Sequence, residues 1–330
     1  MAKSTSPLSI WTLTDGKIGM VNQSLGLAEA LDKAVDGAEI TEKTIHPKLP
    51  WRWLPPMFWP RGIDGAGPGS DALNPPWPDI VISCGRHAVG PALAVKSKSL
   101  GRTFVIHVQH PHVRLANYDL IAAPNHDRLA GPNVISFTGS MHRITPEKLA
   151  HAADEFRALI EPLPRPRIAV LIGGSNRSYR LTEDIARRLG EDLAVLAEKT
   201  GAGLMVTASR RTGSANEAVL RDALDHTQSV FWDNKGSNPY FGFLAAADAI
   251  IVTCDSVNMI TEAAATGKPV HIVDLEGGDA KFQDFHQSLY DAEIARPFSG
   301  EFAEWEYSVL DEPARVANEV LRRMEAAKNE

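Results

Sequence analysis

Several short stretches of this sequence gather residue types that bind anions or move protons. The first is Thr14-Asp15-Gly16-Lys17-Ile18-Gly19, followed closely by Asn22 and Gln23. Asp15 could take a proton, Lys17 could hold an anion, and the glycines let backbone N–H groups approach a ligand. The second, Gly85-Arg86-His87, sets a guanidinium beside an imidazole. The third runs Gln109-His110-Pro111-His112-Val113-Arg114. Its histidine spacing suggests a metal, but Pro111 separates the two and no third ligand of matching spacing is evident, so no metal site is expected. The fourth, Gly173-Gly174-Ser175-Asn176-Arg177, and the fifth, Ser209-Arg210-Arg211-Thr212, join small or hydroxyl residues to arginines. Such turns suit phosphate oxygens, which arginine grips through forked, charge-assisted bonds. Neither is a P-loop, because the Gly-Lys-Ser/Thr ending is missing. The sixth is Ser256-Val257-Asn258-Met259, with Glu262 beyond it. Ser256 would cap a helix whose start is open to an anion, and a carboxylate in the place of Glu262 is suited to a ribose diol.

These stretches need elements to hold them, and the hydropathy pattern supplies a repeating set. Apolar runs predict strands over 9–14, 79–83, 103–108 and 118–123, and again over 167–172, 203–207, 229–232, 249–253 and 270–273. Helical periodicity fills the gaps at 20–31, 88–99, 147–159, 182–200, 216–226, 239–246 and 257–266, with a last helix at 312–327. Strands alternating with helices mean parallel α/β sheets, in which ligands sit outside the carboxyl ends of the strands. All six stretches fall there. The run Glu161-Pro162-Leu163-Pro164-Arg165-Pro166 cannot continue a helix and reads as a linker. The expected plan is therefore an N-terminal domain over 1–160, a linker over 161–166 and a C-terminal domain over 167–310. The helix in 311–330 is expected to fold back across the joint. Residues 47–78 hold nine prolines with Trp51, Trp53, Phe58, Trp59 and Trp77, and read as a long structured loop.

The length of 330 residues also favours two domains. The two cysteines fit a reducing cytosol and exclude a disulfide scaffold. No apolar run approaches the ~20 residues of a spanning helix, and residues 1–8 lack a secretory pattern. Lysine and arginine number 34 against 41 acids, a net charge of −7, which argues against nucleic acid as a partner. The basic residues are nevertheless grouped. No acid lies between Asp79 and Asp119, between Glu161 and Glu183, or between Glu198 and Glu217, and all three windows carry arginines near the predicted turns. Such surfaces draw small anions.

Two family resemblances rest on longer runs. DIVISCGRHAVGPALAV (79–95), GGS (173–175) and TCDSVNMITEAAATGKPVHIVDL (253–275) resemble the lipid-linked disaccharide-forming transferases of peptidoglycan synthesis. TDGKIGMVNQSLGLAEAL (14–31), GGSNRSYRLTEDIA (173–186), TASRRT (207–212) and DNKGSNPYFGFLAAADAIIVTCDSVNMITEA (233–263) are similar to the mitochondrial fission "elongated mitochondria" family and its bacterial members. The resemblance implies a GT-B-like fold, two doubly wound Rossmann-like domains facing a cleft, with the nucleotide sugar in the C-terminal one. It implies a donor pyrophosphate near Gly173, Gly174, Ser175 and Ser256 and a ribose near Glu262, and the turns add Asn176, Arg177, Ser209, Arg210, Arg211, Asn258 and Met259 to the expected donor site. The acceptor is then expected over Gly16, Lys17, Asn22, Gln23, Gly85, Arg86, His87 and Gln109. Where the peptidoglycan enzymes carry a histidine in the first turn, this chain has Asp15 and Lys17. Asp15 becomes the first candidate for the general base and His110 the second. The implied activity is transfer from a nucleotide sugar, a UDP-sugar, to a lipid-linked or envelope acceptor, with no cofactor required. The alternatives are a non-catalytic adaptor, as the association of plant members with mitochondrial division suggests, and a GT-B-fold nucleotide-sugar epimerase. A short-chain epimerase is excluded, since the chain has neither GxGxxG nor Tyr-x-x-x-Lys. The expected location is cytoplasmic and peripheral on the inner membrane, reached through the aromatic loop at 51–59.

Overall fold

The computed structural model describes residues 7–59 and 65–328. Arg61, which the sequence sets beside the aromatic loop, and residues 1–6 lie outside them. The chain forms two compact units: Met1–Arg143 with Asp311–Glu330, and Ile144–Leu310.

Unit 1 is built on a six-stranded parallel sheet. Its strands are β1 (Leu8–Thr14), β2 (Ala38–Thr44), β3 (Ile80–Cys84), β4 (Phe104–Val108), β5 (Leu120–Pro124) and β6 (Val134–Phe137), in the order β2-β1-β3-β4-β5-β6. Every residue of β3 and β5 is buried, as expected of central parallel strands covered on both faces. Helix α1 (Ile18–Val35) places Leu27, Ala28 and Leu31 in the same core as Ile10, Ile80 and Ile82. Gly26 of α1 lies against the backbone of His142, where a Cβ would come within 2.3 Å of the carbonyl oxygen. Helix α2 (Val89–Lys98) covers the other face with Val89, Ala92 and Val95.

Unit 2 is a second six-stranded parallel sheet. Its strands are β7 (Arg167–Ile172), β9 (Gly203–Ala208), β10 (Ser229–Phe231), β11 (Ala249–Thr253), β12 (Val270–Val273) and β14 (Ala295–Pro297), ordered β10-β9-β7-β11-β12-β14. A small antiparallel pair, β8 (Tyr179–Arg180) with β13 (Glu276–Gly277), stands apart from it. The helices are α3 (Pro146–Glu155), α4 (Arg157–Ile160), α5 (Glu183–Thr200), α6 (Ser214–Leu224), α7 (Tyr240–Ala246), α8 (Val257–Ala264) and α9 (Ala280–Asp291). Local rules set the ends of α5. The Thr182 hydroxyl accepts from the Ile185 N–H, Glu183 and Asp184 occupy the first turn, and Gly201 ends the helix at φ 69°.

The division corrects two expectations. The boundary falls after Arg143, not at 160, because α3 packs on α7: Gly242 lies against Phe156 and the Ala152 carbonyl. The proline-rich 161–166 is therefore a connection inside unit 2, where Leu163 is buried and Gly203 rests on Leu163 and Pro164. The last helix, α10 (Glu312–Lys328), brings the chain back to unit 1 and completes its core. Val316, Ala317 and Val320 are fully buried in the core cluster that holds Leu27 and Leu31. Among the described residues no helix is long and apolar enough to cross a membrane.

Candidate functional sites

Each sheet has one place where the strand order reverses, and there the turns leave a crevice at the carboxyl ends of the strands. In unit 1 the reversal lies between β1 and β3. The turn after β1 presents Asp15 and Lys17, and the turn after β3 presents Arg86 and His87. Gly16 and Gly85 shape these turns at φ 77° and φ 86°, conformations that suit glycine. The Asp15 carboxylate, 9% exposed, accepts from the Lys17 ammonium and lies 3.1 Å from His87 Nδ1. The His87 bond, aided by Lys17 and opposed by burial, holds the Asp15 carboxyl well below the ordinary carboxylate range. With the proton on Nδ1, His87 Nε2 is an acceptor, and an Arg86 guanidinium nitrogen stands 3.2 Å from it. That nitrogen also donates to the Arg52 carbonyl at 2.6 Å. Asp15 and His87 thus form a carboxylate–imidazole pair of the kind that orients a base.

The other candidates of unit 1 are placed nearby or apart. The Gln109 amide donates to Gln23 at 3.1 Å, from a backbone with φ 83°. Asn22 is half-buried on α1. His110 stacks on His112, ring centroids 4.2 Å apart, and its Nδ1 accepts from the His112 N–H. The two proposed bases have different partners: His110 has His112, and Asp15 has Lys17 and His87. Among the described residues no three His, Cys, Asp or Glu side chains gather as they would around a metal ion.

In unit 2 the order reverses between β7 and β11, and the centre of that crevice is a residue the sequence analysis did not single out. Asp255 follows β11, its side chain wholly buried. It accepts from Thr253 Oγ1 at 2.7 Å, from the Gly174 N–H at 3.0 Å and from Arg211 at 2.6 Å. Burial pushes its carboxyl up, and Thr253, Arg211 and Gly174 oppose that shift. The glycines are required by this packing. A Cβ on Gly173 would lie 2.2 Å from Asp255, and one on Gly174 2.2 Å from the Arg211 backbone.

The expected anion cradle is consequently committed within the fold. The Gly173 N–H donates to Thr253, the Ser175 N–H to the Arg211 carbonyl and the Asn176 N–H to the Tyr179 carbonyl. The Asn176 side chain ties the turn to the Asp255 carbonyl, and the Ser209 hydroxyl donates to the Gly173 carbonyl at 2.6 Å. Arg211 neutralises Asp255. Arg177 and Arg210 are exposed at the same strand ends, and neither guanidinium has an ion pair among the described residues. Ser256 caps α8 by accepting from the Met259 N–H, and Asn258 is half-buried in the first turn. Glu262 is 5% exposed and accepts from the Tyr240 hydroxyl at 2.7 Å. Burial beside that carboxylate pushes the Tyr240 hydroxyl well up. Tyr240 was also missed. Its pairing with Glu262 spans 22 residues and leaves no local signal.

Comparison with known proteins agrees with this architecture. The family model for mitochondrial fission ELM1 matches residues 18–324. The Arabidopsis thaliana mitochondrial fission protein ELM1 is 28% identical over 275 residues, which cover 76% of this chain and 64% of the plant protein. The chain thus spans just under two thirds of that relative's length. An uncharacterised protein of Rickettsia prowazekii is 25% identical, covering 94% of this chain and 97% of its own. Among solved structures, Methanocaldococcus jannaschii UDP-GlcNAc 2-epimerase in complex with UDP-GlcNAc and UDP superimposes with a TM-score of 0.56. It is 12% identical and covers 97% of this chain and 100% of its own, a likeness of fold alone. Two Rossmann-like units, each with a six-stranded parallel sheet, give the GT-B-like fold that the sequence resemblance implied, and the chain belongs to the mitochondrial fission ELM1 family.

Proposed function

We propose that this chain is a glycosyltransferase that moves a sugar from a UDP-sugar to a lipid-linked or envelope acceptor. One observation carries the reading. At the order reversal of unit 2, the exposed Arg177 and Arg210 stand on turns rigidly anchored through Asp255, while α8 begins at the same strand ends. Uncommitted guanidiniums on fixed turns are suited to a diphosphate, and a helix start adds to the field. The M. jannaschii protein of like fold holds UDP-GlcNAc and UDP.

Each unit is suited to one part of this chemistry. In unit 1, His87 Nε2 is suited to take the proton of an acceptor O–H as that oxygen bonds to the anomeric carbon. Asp15 acts as the positioning residue that stabilises the imidazolium. The bond from the anomeric carbon to the diphosphate oxygen breaks, and UDP leaves with the electron pair, its charge met by Arg177 and Arg210. The base is thereby His87 and not Asp15, whose depressed pKa makes it a weak proton acceptor. Membrane contact belongs to this proposal. Leu49, Trp53, Met57 and Phe58 are 59%, 74%, 65% and 57% exposed, an apolar run fit for a lipid interface. A Trp53→Ser/Phe58→Ser double variant should then lose flotation with liposomes, and flotation equal to wild type would remove the contact.

A second reading, a non-catalytic adaptor, draws on the committed amides of the 173–176 turn and the carboxylate beneath them. Chromatography of UDP-GlcNAc after incubation separates the readings. Acceptor-dependent UDP release supports transfer, an epimerised sugar without acceptor supports epimerisation, and retained intact nucleotide sugar supports the adaptor.

A further inference from the structure

Unit 1 carries a second concavity that the Asp15–His87 pair does not fill. A groove of about 1170 Å³ lies along α2, walled by the 55–59 turn and by the segment at 110–117. It is roomier than the ~300–1,000 Å³ usual for small-molecule sites. Its walls differ in chemistry. Met57, Trp59 and Leu93 give it an apolar side, Arg86, His112 and Arg114 give it donors, and among the described residues no carboxylate lines it.

The apolar wall is built into the fold. Trp59 lies directly on Gly90 of α2, where a Cβ would stand 2.0 Å from the indole Cγ. The cationic side is available. Arg114 is exposed and its guanidinium makes no ion pair among the described residues. Lys96 also lines the groove, but its ammonium is spent on Asp119 and the Asn117 carbonyl. No acid occurs from 80 to 118 to offset the arginines. The groove is also continuous with the pair at the sheet reversal, because Arg86 both lines it and stands 3.2 Å from His87 Nε2.

We infer that this groove holds an amphiphilic phosphate monoester, a prenyl-chain phosphate. Its chain lies on Trp59, Met57 and Leu93, and its phosphate lies between Arg86 and Arg114. The inference rests on the transferase reading and assigns the lipid part of its acceptor. A purely apolar ligand would leave Arg114 without an ion pair, and inorganic phosphate would leave the indole wall uncovered.

The test titrates the full chain with farnesyl phosphate below its micelle concentration, without any nucleotide sugar, and follows tryptophan fluorescence. Saturable binding is expected, with farnesol at least ~10-fold weaker and inorganic phosphate competing only at millimolar levels. A hydrogen-bonded charge of this kind commonly changes affinity ~10-fold or more, so Arg114→Ala should weaken farnesyl phosphate about tenfold while leaving Tm unchanged. Leu93→Asp should abolish binding. Equal affinity for farnesol, an unchanged Arg114→Ala variant, absence of saturation, or a signal reproduced by phosphatidylglycerol vesicles in place of the monoester would each overturn the assignment. A chain that fails here but binds UDP-sugar loses the groove and keeps the donor site, and the converse result keeps the groove alone.

Discussion

Arg211→Ala gives the sharpest test of how unit 2 is organised. The substitution removes the guanidinium that pairs with a carboxylate whose side chain is wholly buried. Losing one partner of a buried pair costs ~3–5 kcal/mol. Two features reduce the figure here: the Arg211 side chain is 42% exposed, and Thr253 and the Gly174 N–H still donate to Asp255. A loss of ~2–3 kcal/mol at pH 7 follows, the share of a single charge-assisted bond. The pH dependence has a definite sign. Burial already raises the Asp255 carboxyl, and losing Arg211 raises it further. A carboxyl with a folded pKa above its unfolded value favours the native state at low pH and loses that contribution as pH rises through the folded value. The deficit of Arg211→Ala against wild type should therefore be larger at pH 7 than at pH 5. Urea denaturation at both pH values measures it, and Arg211→Ala/Asp255→Asn should recover part of the loss. A deficit under ~0.5 kcal/mol, or one equal at both pH values, would refute the reasoning.

Two further outcomes test unit 1. Asp15→Asn should lose ~1.5–3 kcal/mol at pH 7, since hydrogen bonds to a charge are removed. The wild-type carboxyl is depressed in the fold, so its stabilisation is present above the unfolded pKa of ~4 and fades as pH falls below it. The stabilities of the two proteins should then draw together as pH falls from ~4, with a difference still present at pH 3. Gly90→Ala should lower the urea midpoint by the equivalent of ~1–3 kcal/mol and shift tryptophan emission, because the new methyl would meet the Trp59 ring.

The parts legible in the sequence were those dictated by burial. The strands at 167–172, 249–253 and 270–273 were expected over the very residues found, because fully buried parallel strands read as unbroken apolar runs. Edge strands escape that signal. In β2, Ala-Glu-Ile-Thr-Glu-Lys-Thr is half solvated, and β14 is three residues long and ends in proline. Helix α9 was missed for its polar make-up, with only Phe285, His286 and Leu289 buried. Conformational rules alone make the proline run at 161–166 read as a linker. Burial of Leu163, which depends on distant Gly203, decided otherwise. The site shows the same division. Glycines and arginines marked the strand ends at which the order reverses, while the partner of Arg211 lay in a tertiary pairing. Arg211 meets Asp255 across 44 residues, a contact no local pattern announces.

The account turns on a nucleotide sugar held by unit 2, and calorimetric titration of UDP-GlcNAc into wild type, Arg177→Ala, Arg210→Ala and Arg211→Ala tests it most directly. Saturable binding is predicted. Arg177→Ala and Arg210→Ala should each weaken it ~10-fold or more, the effect of one charge-assisted phosphate bond. Arg211→Ala should act mainly on stability. Absence of binding at millimolar UDP-GlcNAc and other UDP-sugars, or affinities that ignore both exposed arginines, would contradict the account.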